Sequence, residues 1–109
     1  MYNKSVIKLF VKEAANIKDK VIGLIGKEKP VSLMLKTHFG IHTFGLKFPI
    51  DVLILNNKNK IMSIKKNLKP NRIFLWNPKY EKVIELPIGI VQKKAIKIND
   101  TIDLKLIVT

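Results

Sequence analysis

Ile7, Leu9 and Val11 fall on one phase of the chain, and Lys8 and Lys12 on the other. That alternation predicts a strand over Val6 to Ala14, with a single helix from Ser5 to Gly26 as the competing reading. After Asn16, a residue whose side chain can accept a bond from a free helix N–H, Ile17, Val21, Leu24 and Ile25 recur at helical spacing. This predicts the one short principal helix, near residues 17–25, closed by Gly26. Beyond Pro30, Val31 to Lys36 reads as a strand. Val52 to Leu55 is a continuous apolar run, the pattern of a central strand covered on both faces.

Asn56-Asn57-Lys58-Asn59 has turn chemistry, and Ile61, Met62 and Ile64 form a returning strand, so a hairpin is expected here. Arg72 to Trp76 and Lys82 to Leu86 are further strands, ended by Asn77-Pro78 and by Pro87. Gly89 to Lys94 has room for one helical turn. After the Asn99-Asp100 turn, Ile102, Leu104, Leu106 and Val108 alternate with Asp103 and Lys105. Leu104 is therefore expected in the core, with a cost of roughly 2–5 kcal/mol for Leu104→Ala. About seven short strands separated by turn residues, with one short helix, predict a mostly β single domain over residues 1–109: a β-sandwich or irregular barrel.

Length and composition narrow the function classes. At 109 residues the chain is the size of one domain. With 47% hydrophobic residues it has enough apolar material for a core. No apolar run approaches the roughly 18 residues of a membrane span. The first residues lack the long apolar stretch and small-residue cleavage site of a signal peptide, so the expected location is the cytoplasm and the expected state a monomer. There is no cysteine, which excludes disulfides, thiolate catalysis and cysteine-ligated zinc.

Charge adds the one hint of a partner. The chain has 21 basic and 8 acidic residues, a net +13, and Arg72 is its one arginine. An abundance of Lys, Ile and Asn is what AT-rich codons favour; a polyanion, nucleic acid above all, is the functional counterpart. Lysine is a point charge rather than a bidentate base reader, so such binding is expected to be phosphate-driven and indifferent to sequence. Lys58, Lys60, Lys65, Lys66 and Lys69 straddle the predicted hairpin and are the candidates for one basic lobe.

Four blocks of residues are similar to a known family. They are Ala14-Ala15-Asn16 with Lys20 and Gly23-Leu24-Ile25; Ile41-His42-Thr43-Phe44 leading to Phe48-Pro49-Ile50-Asp51-Val52; Glu85-Leu86-Pro87-Ile88-Gly89; and Ile98-Asn99-Asp100. Together they resemble the domain of unknown function 192 family, also called uncharacterised protein family 0127, in its archaeal form. Asn99 stands where the family has glycine. His42-Thr43-Phe44-Gly45-Leu46 replaces the Trp-Met-Lys-Asn-Thr of bacterial members, so a site built on those residues does not carry over. The resemblance implies a compact, mostly β, sandwich-like domain and no reaction.

The side chains with chemistry to offer are few. His38 and His42 have HxxxH spacing, but in extended chain they stand about 13 Å apart, too far to share an ion without a bend at Gly40, and no metal or cofactor is expected. Acid–base chemistry would need Asp51 and Glu85 in one cleft with His42. The structural alternative has Asp51 accepting backbone N–H bonds at a strand entrance and Glu85 paired with a lysine. Phe74 and Trp76 share a strand face with Arg72, a pattern that can stack nucleobases but more often belongs to a core. No nucleophile elbow, phosphate loop or dinucleotide fingerprint occurs. His42, Thr43, Lys47, Asp51, Trp76 and Glu85 are the candidate ligand contacts of what is read first as a non-catalytic binding domain. A nucleic-acid-associated protein and a small enzyme using His42, Asp51 and Glu85 are the alternatives.

Overall fold

The computed structural model describes residues 6–13 and 32–107. Its strands are β1 (Ile7–Glu13), β2 (Leu33–Lys36), β3 (Ile41–His42), β4 (Ile50–Leu55), β5 (Ile61–Leu68), β6 (Ile73–Phe74), β7 (Lys82–Pro87) and β8 (Ile102–Leu106). One short helix, α1 (Ile90–Lys93), occurs among the described residues. The helix expected near residues 17–25 lies outside them. The segment read as either strand or helix is a strand at least from Ile7 to Glu13.

Six strands form one sheet in the order β5-β4-β7-β2-β1-β8, and β3 pairs with β6 in a second, two-stranded sheet. The fold is thus mostly β, a curled half-barrel with a small sheet beside it. β4 explains why. All six of its residues are buried, Asp51 among them, as the apolar run from Val52 to Leu55 requires of a central strand. Leu53 and Leu55 turn to one side, into a core with Leu9, Val11, Met34, Ile84, Leu86, Val91 and Ile102. Ile50, Val52 and Ile54 turn to the other, into a core with Leu33, Leu35, Leu46, Leu68 and Val83. Ile41, Phe48, Phe74, Trp76 and Tyr80 pack against this second core.

Side-chain chemistry sets the turns. Asn56 Oδ1 accepts the N–H groups of Lys58 and Lys60, both at 2.9 Å, closing the β4–β5 hairpin. Asn59 takes a left-handed φ of 62°, which asparagine tolerates better than other side chains do. Asn99, with φ 76°, does the same before β8, so asparagine serves where a family glycine would stand.

Three expectations change. The strand read from Arg72 to Trp76 is only Ile73–Phe74. The hairpin lysines do not form one lobe: Lys58 and Lys60 lie at one end of β5 and Lys65, Lys66 and Lys69 toward the other, and eight residues of strand span about 26 Å. β8 is one of the two outer strands of the large sheet, and Leu104 is only half-buried against the first core. The expected cost of Leu104→Ala in urea unfolding is therefore about 1–2 kcal/mol, below the ~2–5 of an enclosed leucine. A measured loss above about 3 kcal/mol would contradict the half-buried placement.

Candidate functional site

The β4–β7 register decides what the two buried carboxylates can do. Asp51 stands opposite Leu86, and Val52 opposite Glu85. Adjacent residues of a strand point to opposite faces, so Asp51 shares the side of the first core and Glu85 that of the second. The sheet lies between them. The single cleft that would unite Asp51, Glu85 and His42 does not exist in this fold.

Asp51 is 2% exposed and fully engaged. Ile50 pairs with Leu68 and Val52 with Lys65, so Lys66 and Asn67 together face Asp51, a β-bulge. Asp51 Oδ1 accepts the N–H of Asn67 at 3.0 Å. Its Oδ2 accepts the N–H of Gly89 at 3.1 Å and that of Val91 at 3.5 Å, at the start of α1. One carboxylate thereby satisfies the amides of a bulge and of a helix entrance, the strand-entrance role expected for it.

Glu85 differs. It is 7% exposed, between Leu33 of β2 and Val52 of β4. Its carboxyl has no hydrogen-bond or ion-pair partner among the described residues, so the expected lysine partner is absent there. Lys12 and Lys65, both exposed, occupy the same cross-sheet row, each two strands away at about 10 Å. Burial without compensation pushes the carboxyl up from 4.5 to about 7.

The other candidates are dispersed. His42 is exposed on the small sheet, where its Nδ1 accepts the Phe44 N–H at 3.2 Å and its ring lies 5.3 Å from that of Phe44. Thr43 is fully buried. Its hydroxyl donates to the Lys69 carbonyl at 2.7 Å and accepts from the Arg72 N–H at 2.8 Å, tying two turns together. Lys47 is exposed. Trp76 is half-buried, its Nε1–H donating to the Tyr80 carbonyl at 2.7 Å and its ring 5.6 Å from Phe74. Phe74 and Trp76 thus face the second core, while Ile73 and Leu75 face outward and Arg72 is exposed. His38 Nδ1 donates to the Pro78 carbonyl at 2.7 Å and its Nε2 lies 3.0 Å from Glu81, away from His42. Among the described residues no three His, Asp or Glu side chains converge as a metal site would require.

The sequence reading passed over Phe10. Its signal was legible: an apolar side chain in the polar phase of β1, between Lys8 and Lys12. It is 62% exposed.

A family model for domain of unknown function 192, described as an uncharacterized ACR, matches residues 3–104. The chain belongs to this family. No match was found among curated proteins. Two crystal structures share the fold of this domain of unknown function 192 protein. One, a protein of unknown function from Novosphingobium aromaticivorans, has a TM-score of 0.74 at 15% identity, covering 84% of this chain and 71% of that one. The other, a candidate transcription regulator from Sinorhizobium meliloti, has a TM-score of 0.71 at 17% identity, covering 84% and 78%. At such identities the likeness concerns the fold alone.

The structure gives the motif Glu85-Leu86-Pro87-Ile88-Gly89 of this family member a physical reading. Glu85 and Leu86 enter opposite cores, and Pro87 ends β7 beside Ile50. Gly89 adopts φ 94°, strained for any side chain, and thereby presents its N–H to Asp51. The motif links strand end, turn and helix start to the carboxylate of the central block.

Proposed function

We infer that this member of the domain of unknown function 192 family is a non-catalytic binding domain for an anionic partner. The supporting observation is how its acids are placed. Of the eight acidic residues, Asp51 and Glu85 are buried in the sheet, while Glu81 lies against His38 and Asp103 against Lys105 at 3.4 Å. The described lysines other than Lys82 are all exposed. The surface is thus more strongly cationic than a net charge of +13 conveys. Separation of His42, Asp51 and Glu85 argues in the same direction, since acid–base chemistry needs its groups within reach of one substrate atom.

A titration with mixed-sequence RNA, duplex DNA and heparin near physiological salt tests this. Binding should occur with a Kd tighter than about 100 μM and weaken steeply with salt, as counterion release demands. If none of the three binds in that range, the lysines only keep the domain soluble and the reading fails.

A further inference from the structure

Ile7, Leu9 and Val11 of β1 turn into the first core, so Lys8, Phe10 and Lys12 share the opposite face. β8 runs beside β1 in parallel register, setting Asp103 next to Lys8 and Lys105 next to Phe10. Strand geometry places Lys8 and Lys12 about 6.6 Å from Phe10 along the strand, and Lys105 about 4.8 Å across from it. Lys8, Lys12 and Lys105 are all exposed. An aromatic ring open to solvent thus has three lysines as its neighbours on this face of the sheet. The one acid in the array, Asp103, lies 3.4 Å from Lys105.

We propose that this face of β1 and β8 binds single-stranded nucleic acid, one base stacking on Phe10 while Lys8, Lys12 and Lys105 engage the flanking phosphates. The inference rests on the anionic-partner reading and adds the kind of polyanion and its place. Charge complementarity selects the partner, and the ring selects its form. An unpaired base offers a free π face to an aromatic side chain on a sheet, whereas bases within a duplex are already stacked on one another. Arginine, the usual bidentate reader of guanine, is absent from the array, so the site is tolerant of sequence. Of the exposed apolar side chains in and beside the small sheet, Phe39, Phe44, Ile73 and Leu75, only Ile73 lies in a strand, paired there with His42 rather than a lysine, and these side chains serve as the control surface.

Fluorescence anisotropy with labelled oligothymidylate, duplex DNA and heparin separates the possibilities. Phe10→Ala should weaken oligothymidylate binding by about 5- to 150-fold, the usual loss for one stacked base, and leave heparin binding unchanged. Phe10→Trp should restore it. Lys8→Gln with Lys12→Gln should lower the slope of log affinity against log salt by about 1.4. Asp103→Asn should tighten binding, and Phe44→Ala should leave it unchanged. Phe10 is exposed, so its replacement should leave the circular dichroism spectrum as it is. If Phe10→Ala binds oligothymidylate as the parent does, or loses duplex and heparin equally, the stacking site is wrong while the anionic-partner reading stands. If no polyanion binds at all, both fail.

Discussion

Between about pH 4.5 and 7 the parent protein should lose about 3 kcal/mol of stability relative to Glu85→Gln. Glu85 is buried between Leu33 and Val52, and its carboxyl titrates at about 7 in the folded chain against 4.5 when solvated. Below about 4.5 the carboxyl is protonated in both states and carries no penalty. As the pH rises toward 7 the unfolded chain releases its proton while the folded chain retains it, so folding becomes progressively less favourable. Above about 7 both states are ionised and the penalty stays constant. Glutamine does not titrate, so the difference between the two proteins isolates Glu85 from every other acid. Urea unfolding of both at pH 5, 6, 7 and 8 measures it. Parallel stability profiles would mean that the carboxyl is solvated or partnered in solution.

Asp51→Ala should cost about 3–5 kcal/mol at neutral pH. The substitution deprives the Asn67 and Gly89 amides of a charged acceptor at a site that is 2% exposed, where water does not readily replace it. Bonds to ionised groups contribute about 1.5–3 kcal/mol each, and a buried donor left unpaired adds its own desolvation cost. Typical domains have about 5–15 kcal/mol in total, so this one side chain holds a large share. Asp51→Asn should lie between the two, because one oxygen still accepts while the amide group faces donors. Hydrogen exchange at Gly89 and Asn67 should accelerate in Asp51→Ala. A loss below about 1 kcal/mol in urea would show that the bulge and the helix start do not depend on the carboxylate.

These two acids also show where sequence reading stops. The strands of the large sheet were legible because each carries its own signal: alternation in Ile7–Glu13, an unbroken apolar run in Val52–Leu55, asparagine turns after Leu55 and before Ile102. Asp51 as an acceptor of backbone amides was legible from its place at a strand entrance. The separation of Asp51 from Glu85 was not. It depends on whether Asp51 stands opposite Leu86 or Glu85, a one-residue difference in pairing that leaves no mark in either segment. Leu104 misled for a related reason: alternation shows which face is apolar, not whether the strand lies inside a sheet or at its margin. Phe10 carried a readable signal, since an aromatic residue out of phase with its strand needs a reason to face water.

The pairing of β1 with β8 has a consequence for how the chain acquires its shape during synthesis. Ile7 lies beside Ile102, so β1 emerges from the ribosome long before its neighbour has been translated. The β4–β5 hairpin can close locally within microseconds, whereas the β1–β8 edge must wait for every residue between the two strands. Pairing across such a sequence separation is entropically slow, and topologies built on it fold over milliseconds to seconds. Until β8 arrives, the nascent protein displays Leu9 and Val11 on an unpaired strand edge, an invitation to aberrant pairing with other chains. Lys8 and Lys12, alternating with those residues, put charges of one sign on that edge, which opposes its pairing with a second copy.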